Sequence, residues 1–158
     1  RARGVRTRML TCVACGARLT VIALDANIFI YWLEPQPEFH TFATSIFKSI
    51  EDGTTKATAS ELVYLEVLSG SHLSADDARL LAASFSQIVP LAPVSRATLL
   101  EAARLRRDYR LGALDAVHVA SALLAGCEQF VTNDRELLKR EVPGIEIVAL
   151  SRFHLNGA

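Results

Sequence analysis

Short apolar runs alternate with longer segments of helical period along most of this chain. Residues 19–24 (LTVIAL) are short, apolar and β-branched, as a buried strand requires. Asn27 suits a helix N-cap before IFIYWL, and Pro35 with Pro37 ends that segment. Phe39, Phe42, Ile46 and Ile50 recur at helical spacing across 38–51, and Asp52-Gly53 closes the run. A short strand fits 56–58. Ser60 then caps a helix carrying Leu62, Val63, Leu65, Glu66 and Leu68, with Gly70 as its stop. Ser74 caps a fourth helix, ADDARLLAASFS, whose early acids suit the helix dipole. Residues 88–91 read as a strand, Ser95 to about Tyr109 as a helix, and about Leu114 to Ala125 as another. A strand at 129–132, a short helix at 134–141 and a last strand at 145–149 complete the pattern. Strands separated by helices predict an α/β fold, a central and mainly parallel sheet flanked by helices.

At 158 residues the chain fits one domain with a sizeable core, and 51% hydrophobic residues argue against disorder. The longest apolar run is far below the ~20 residues of a membrane span, so the chain reads as soluble and cytoplasmic. The zero net charge conceals an asymmetry. Arg1, Arg3, Arg6, Arg8 and Arg18 fall in the first twenty residues with no acid, which leaves residues 21–158 at −5. Residues 1–18 therefore read as a basic leader outside a domain spanning 19–158. Such an arginine-rich, acid-free start resembles a transit peptide or a mis-assigned start; a basic arm touching RNA is the rival reading. Cys12 and Cys15 form a C-x-x-C pair with no second ligand pair for zinc and no preceding strand for a redox motif. With Cys127 the count is odd, which fits a reducing compartment.

Four acids change the picture. VIAL runs into Asp25, QFVTN runs into Asp134, Glu66 sits inside LVYLEVL, and Asp115 opens the stretch DAVHVASALLA. A lone ionised carboxylate is costly to bury without a partner or a metal. Four such acids on separate elements suggest one hard-cation site and metal-assisted chemistry on a phosphodiester. In parallel sheets, ligand sites lie beyond the carboxyl ends of the strands, where Asp25 and Asp134 fall.

Three segments in order, VIALDANIFIYWL, ASELVYLEVLSG and LGALDAVHVASALLAGCEQFVTNDREL, resemble the PIN-domain ribonucleases, and specifically the VapC-type toxins of bacterial and archaeal toxin–antitoxin pairs. The resemblance covers about residues 20–153. It implies a three-layer α/β PIN-like fold and an endoribonuclease dependent on Mg²⁺ or Mn²⁺. Asp25, Glu66, Asp115 and Asp134 match the family's four acids, and Asn27, Ser60, Thr132 and Asn133 stand at the polar positions beside them. By the same resemblance Asp25 and Asp115 are direct metal ligands. Glu66 and Asp134 bind a second ion or hold metal-bound water, one of them as general base. An antitoxin protein, a homodimer built on helices near residues 27–70, and a heterotetramer or larger assembly with antitoxin are implied as well. The arginine-rich leader is not part of the family's pattern.

Bland readings compete at each position. Asp25 and Asp134 could cap the helices that follow them, and Asp115 could be a helix-start acid favoured by the dipole. Glu66 has no basic residue within a helical turn, whereas Glu61 is a near substitute for it. His118 reads as a packed or rim histidine rather than a ligand. Tyr31 and Trp32 suit the core or a dimer face. Arg104, Arg106, Arg107 and Arg110 are either a solvated face or, at Arg107 and Arg110, an RNA backbone contact. Other functions also compete: a PIN nuclease of RNA processing, a phosphatase of the haloacid dehalogenase type, and a non-catalytic metal- or RNA-binding module. The phosphatase scheme needs Asp-x-Asp and meets Asn27 instead.

Overall fold

The computed structural model describes residues 20–34, 37–70 and 73–152. The basic leader and the Cys12–Cys15 pair lie outside them. Five strands form one fully parallel sheet: β1 (Val21–Leu24), β2 (Lys56–Ser60), β3 (Leu91–Ala92), β4 (Gln129–Thr132) and β5 (Glu146–Ala149), in the order β3-β2-β1-β4-β5. Six helices connect them: α1 (Ala26–Leu33), α2 (Pro37–Glu51), α3 (Val63–Leu68), α4 (Ala75–Ile88), α5 (Arg96–Tyr109) and α6 (Ala113–Leu124). The three-layer α/β expectation is met.

Strand alternation splits the core in two. Ile22, Leu24 and Val131 face Phe29, Ile46, Val63 and Phe85 from α1 to α4, while Ala23 and Phe130 face Ala102, Leu105, Ala116 and Val119 from α5 and α6. Phe29 anchors the first layer, with its ring centroid 5.2 Å from Phe47 and 5.4 Å from Phe85. Such aromatic pairs contribute about 0.5–1.5 kcal/mol beyond area burial. The chain runs outward from β1 through β2 to β3, then crosses to β4 on the other side of β1. The topological switch point therefore lies between the carboxyl ends of β1 and β4.

Several boundaries differ from those expected. Asp25, not Asn27, is the N-cap of α1, because β1 ends at Leu24 and the helix starts at once. Ser60 ends β2; its hydroxyl accepts from Leu62 N–H, so it secures the turn into α3 from two residues ahead of the N-cap. Residues 88–91 are not all strand. Leu81, Phe85 and Ile88 continue the helical period of α4, and β3 begins only at Leu91. The short helix expected over 134–141 is one 3₁₀ turn, Leu137–Lys139. Pro143 disfavours helical backbone at Val142, and an isolated bridge pairs Val142 with Ile145. Ser74 and Ser95 cap α4 and α5 as expected, Ser95 within a capping box completed by Thr98.

Candidate active site

The end of β1 delivers Asp25 into a nearly closed environment, where it is 7% exposed. One carboxylate oxygen accepts from Ala26 N–H at 2.7 Å. The other accepts from Thr132 Oγ1–H at 2.6 Å and from Asn27 Nδ2–H at 2.9 Å. Burial raises the Asp25 carboxyl above its ordinary range; His118, the Thr132 hydroxyl and the Ala26 N–H partly counter it, and nearby Glu66 pushes it further up. Asn27 Nδ2 also reaches Thr132 Oγ1 at 3.1 Å, which leaves Asn27 Oδ1 buried with no partner. A flipped amide would aim that oxygen at the Asp25 carboxylate, so the orientation is fixed and the oxygen stays a buried acceptor without a partner.

Thr132 joins the two strand ends. It donates to Asp25 and accepts from Asp134 N–H at 3.0 Å. Asp134 is exposed and caps the turn after β4, accepting from Glu136 N–H at 2.7 Å and Leu137 N–H at 2.9 Å. Asn133 donates to Tyr31 Oη at 3.1 Å, tying the loop to α1. Ser60 accepts from Ser121 Oγ at 3.0 Å and so pins the end of β2 to α6.

From the other layer, α6 supplies Asp115 in its first turn. Its carboxyl accepts from the Gly112 backbone, and a Cβ at Gly112 would lie 2.5 Å from Asp115 Oδ2, so only glycine leaves that carboxylate in place. Burial, then the neighbouring Asp134 charge, raise the Asp115 carboxyl, with Glu66 adding to the rise. These mutual effects link Asp25 to Glu66, Glu66 to Asp115, and Asp115 to Asp134, so all four acids share one electrostatic neighbourhood at the switch point. Among the described residues no Lys or Arg pairs with any of them. Glu61 is engaged elsewhere, accepting from Val94 N–H at 3.2 Å.

No three Asp, Glu, His or Cys side chains among the described residues are grouped so as to hold one ion between them. The donor set still fits Mg²⁺ or Mn²⁺. Mg²⁺ keeps most of its waters and takes one or two carboxylates, and here Asp25, hydrogen-bonded by the Asn27 amide whose oxygen is orphaned, and the half-buried Asp115 both have carboxyls raised by burial and by neighbouring acids. His118 is the residue whose engagement the sequence concealed. It lies three positions after Asp115 on α6 and bonds through Nε2 to Glu66 Oε2 on α3. The spacing from Asp115 puts it on the site's face of α6, but its partner is 52 residues distant.

The basic cluster is mostly self-neutralised. Arg104 pairs with Glu101 at 2.5 Å and also approaches Asp108, and Arg107 pairs with Asp108 at 2.8 Å. Arg110 is exposed at the end of α5 in a left-handed conformation, φ 56°. A groove of about 660 Å³ lined by Trp32, Phe47, Lys48, Glu51, Gln87 and Ile88 lies between α1, α2 and α4 and contains none of the four acids.

Similarity to known proteins agrees with this architecture. No curated protein matches the sequence. One chain of the VapBC2 complex from Rickettsia felis, solved with a promoter DNA fragment, is 16% identical with a TM-score of 0.61, covering 82% of this chain and 98% of its own. One chain of DNA-bound VapBC from Salmonella typhimurium is 21% identical with a TM-score of 0.61, covering 84% and 99%. One chain of a toxin–antitoxin complex from Klebsiella pneumoniae is 20% identical with a TM-score of 0.59, covering 82% and 97%. The family model of the PIN domain matches residues 22–142, a span that runs from β1 through the turn after β4 and includes all four acids, and the chain therefore belongs to the PIN-domain family.

Proposed function

We propose that this chain is a Mg²⁺- or Mn²⁺-dependent endoribonuclease and the toxin of a toxin–antitoxin pair. The observation that carries the reading is the gathering of Asp25, Glu66, Asp115 and Asp134 at the β1/β4 switch point of a PIN domain, with no Lys or Arg among the described residues paired to them. Asp25 and Asp115 hold the cation, and Glu66 and Asp134 hold a second ion or orient water. A bound divalent cation supplies relief of phosphate charge and a more acidic water. Thr132 and the Ala26 N–H keep Asp25 fixed, and Gly112 leaves room for Asp115. Arg110, with Arg107 beside it, contacts the RNA backbone at the rim. The likeness to chains of VapBC complexes supports a cognate antitoxin as partner; a homodimer, a larger assembly with antitoxin and a cytoplasmic place of action complete the reading. No helix among the described residues is long and apolar enough to cross a membrane.

The test is cleavage of a mixed cellular RNA pool by purified, antitoxin-free protein with Mg²⁺, Mn²⁺ or EDTA, beside Asp115→Asn. Cutting that needs metal and disappears in the variant is the expected result. Folded protein that cuts in no metal would overturn the nuclease reading and leave a binding module.

A further inference from the structure

His118 is buried, with its side chain 1% exposed, yet it does more than fill space. An apolar side chain would fill the same volume without desolvating an imidazole. Its Nε2 meets Oε2 of Glu66, whose side chain is 27% exposed. Its Nδ1 is buried with no partner. An ionised carboxylate can only accept, so Nε2 carries a proton, in the neutral Nε2–H tautomer and in the protonated ring alike. That tautomer leaves a buried acceptor unpaired, and a protonated ring would leave a buried N–H unpaired instead.

Glu66 has little else to hold it. It lies on α3, a helix of six residues whose N-cap makes no side-chain hydrogen bond. Its bond to His118 is the one hydrogen bond found for the Glu66 carboxylate among the described residues. His118 itself is held firmly. It stands one turn beyond Asp115 on α6, and its ring centroid lies 6.5 Å from that of Phe130 on β4. Ser121, on the next turn, is bonded to the end of β2. A rigid donor on one layer thus fixes a carboxylate carried by a short helix on the other.

We propose that His118 is a positioning residue: by donating from Nε2 it holds the Glu66 carboxylate towards Asp25 and Asp115 and pre-organises the acidic end for a divalent cation. The proposal rests on the nuclease reading above. Residues that orient a metal's carboxylates typically matter about 10–100-fold in metal affinity.

The experiment is Mn²⁺ binding to the full chain, followed by electron paramagnetic resonance, in the unaltered protein, His118→Leu and His118→Gln. Each is paired with a thermal melt. The unaltered protein binds Mn²⁺. His118→Leu melts at or above the original temperature and binds roughly 10–100-fold more weakly. His118→Gln, whose amide nitrogen can stand in for Nε2, recovers most of the affinity. Equal affinity in His118→Leu, or no recovery in His118→Gln, overturns the positioning role while leaving the nuclease reading intact. Absence of Mn²⁺ binding in the unaltered protein overturns both. Should His118→Leu fail to fold, nitrogen NMR of the unaltered protein decides. An Nε2–H tautomer whose resonance moves in Glu66→Gln is expected; an Nδ1–H tautomer overturns the proposal.

Discussion

The β1–α1 and β4–turn junctions use the same device with different outcomes. At each, an aspartate after a strand accepts backbone N–H groups from the segment that follows. Asp25 is 7% exposed, has donors on both carboxylate oxygens, and has a carboxyl raised by burial. Asp134 is exposed, and its two backbone bonds both fall on Oδ1. A cap in water is a local stabiliser. The same cap buried at the carboxyl end of the central strand is an electrostatic liability that a cation relieves. Burial separates the two, and strand-end sequence alone does not report it.

The largest expected difference comes from truncation. Asp25→Ala strips acceptors from Ala26, Asn27 and Thr132 in a buried place and should cost on the order of 2–4 kcal/mol by urea denaturation, with metal-dependent cleavage lost. Asp134→Ala removes an exposed cap and should cost about 1 kcal/mol. Equal losses would break the comparison.

Thr132 is where the junctions meet, so Thr132→Val should loosen both. About 1–3 kcal/mol is expected, since Asp25 loses a donor and Asp134 N–H an acceptor. Thr132→Ser should recover most of it.

Gly112→Ala probes placement rather than stability. The new Cβ must displace the Asp115 carboxylate, and a shift near 1 Å costs about 10²-fold in rate. The melting temperature should change little, because φ −58° at Gly112 suits any residue. Unchanged cleavage would remove Asp115 from the centre of the chemistry.

The pH response should be smaller and opposite to that of most acidic pairs. Burial raises the Asp25 and Asp115 carboxyls above 3.8, so the folded state binds their protons more tightly than the unfolded chain does. Their contribution is present at pH values below 3.8 and is lost as pH rises through their elevated folded values. In EDTA, stability measured from pH 4.5 to 7.5 should decline by more in the unaltered protein than in Asp115→Asn. Saturating Mg²⁺ should flatten the slope. A slope unaffected by the substitution would deny the Asp115 contribution.

The smallest effect is expected at Arg110. Its left-handed backbone favours glycine, so Arg110→Gly should stabilise by up to about 1 kcal/mol while weakening RNA binding. Unchanged RNA affinity would remove it from the rim contact.

Strand and helix identity was legible wherever one period dominated a long segment. LTVIAL and QFVT announced β1 and β4, and Ser95 with the period after it announced α5. The β3 edge was not legible, since Ile88 suits a strand and a helix equally and the two-residue β3 has no period of its own. Asn27 and Asp25 both suit a cap before IFIYWL in the sequence; the structure gives Asp25 the capping role and leaves Asn27 bonded to it. At the site, the acids stood out because each interrupts an apolar run. Their supporting groups did not, because the Glu66–His118, Asp25–Thr132 and Asn133–Tyr31 bonds join residues 52, 107 and 102 positions apart.

The Asp25–Thr132 bond also bears on how the chain acquires this site. Its 107-residue separation means that neither partner is in place until β4 docks beside β1, the inner pairing that also recruits β5. Parallel pairings of such long range form late and slowly in folding. A chain emerging from the ribosome would therefore expose Asp25 long before Thr132 and Asp134 exist to complete the acidic end. The order of synthesis itself keeps the four acids from sharing one site until most of the chain has been made.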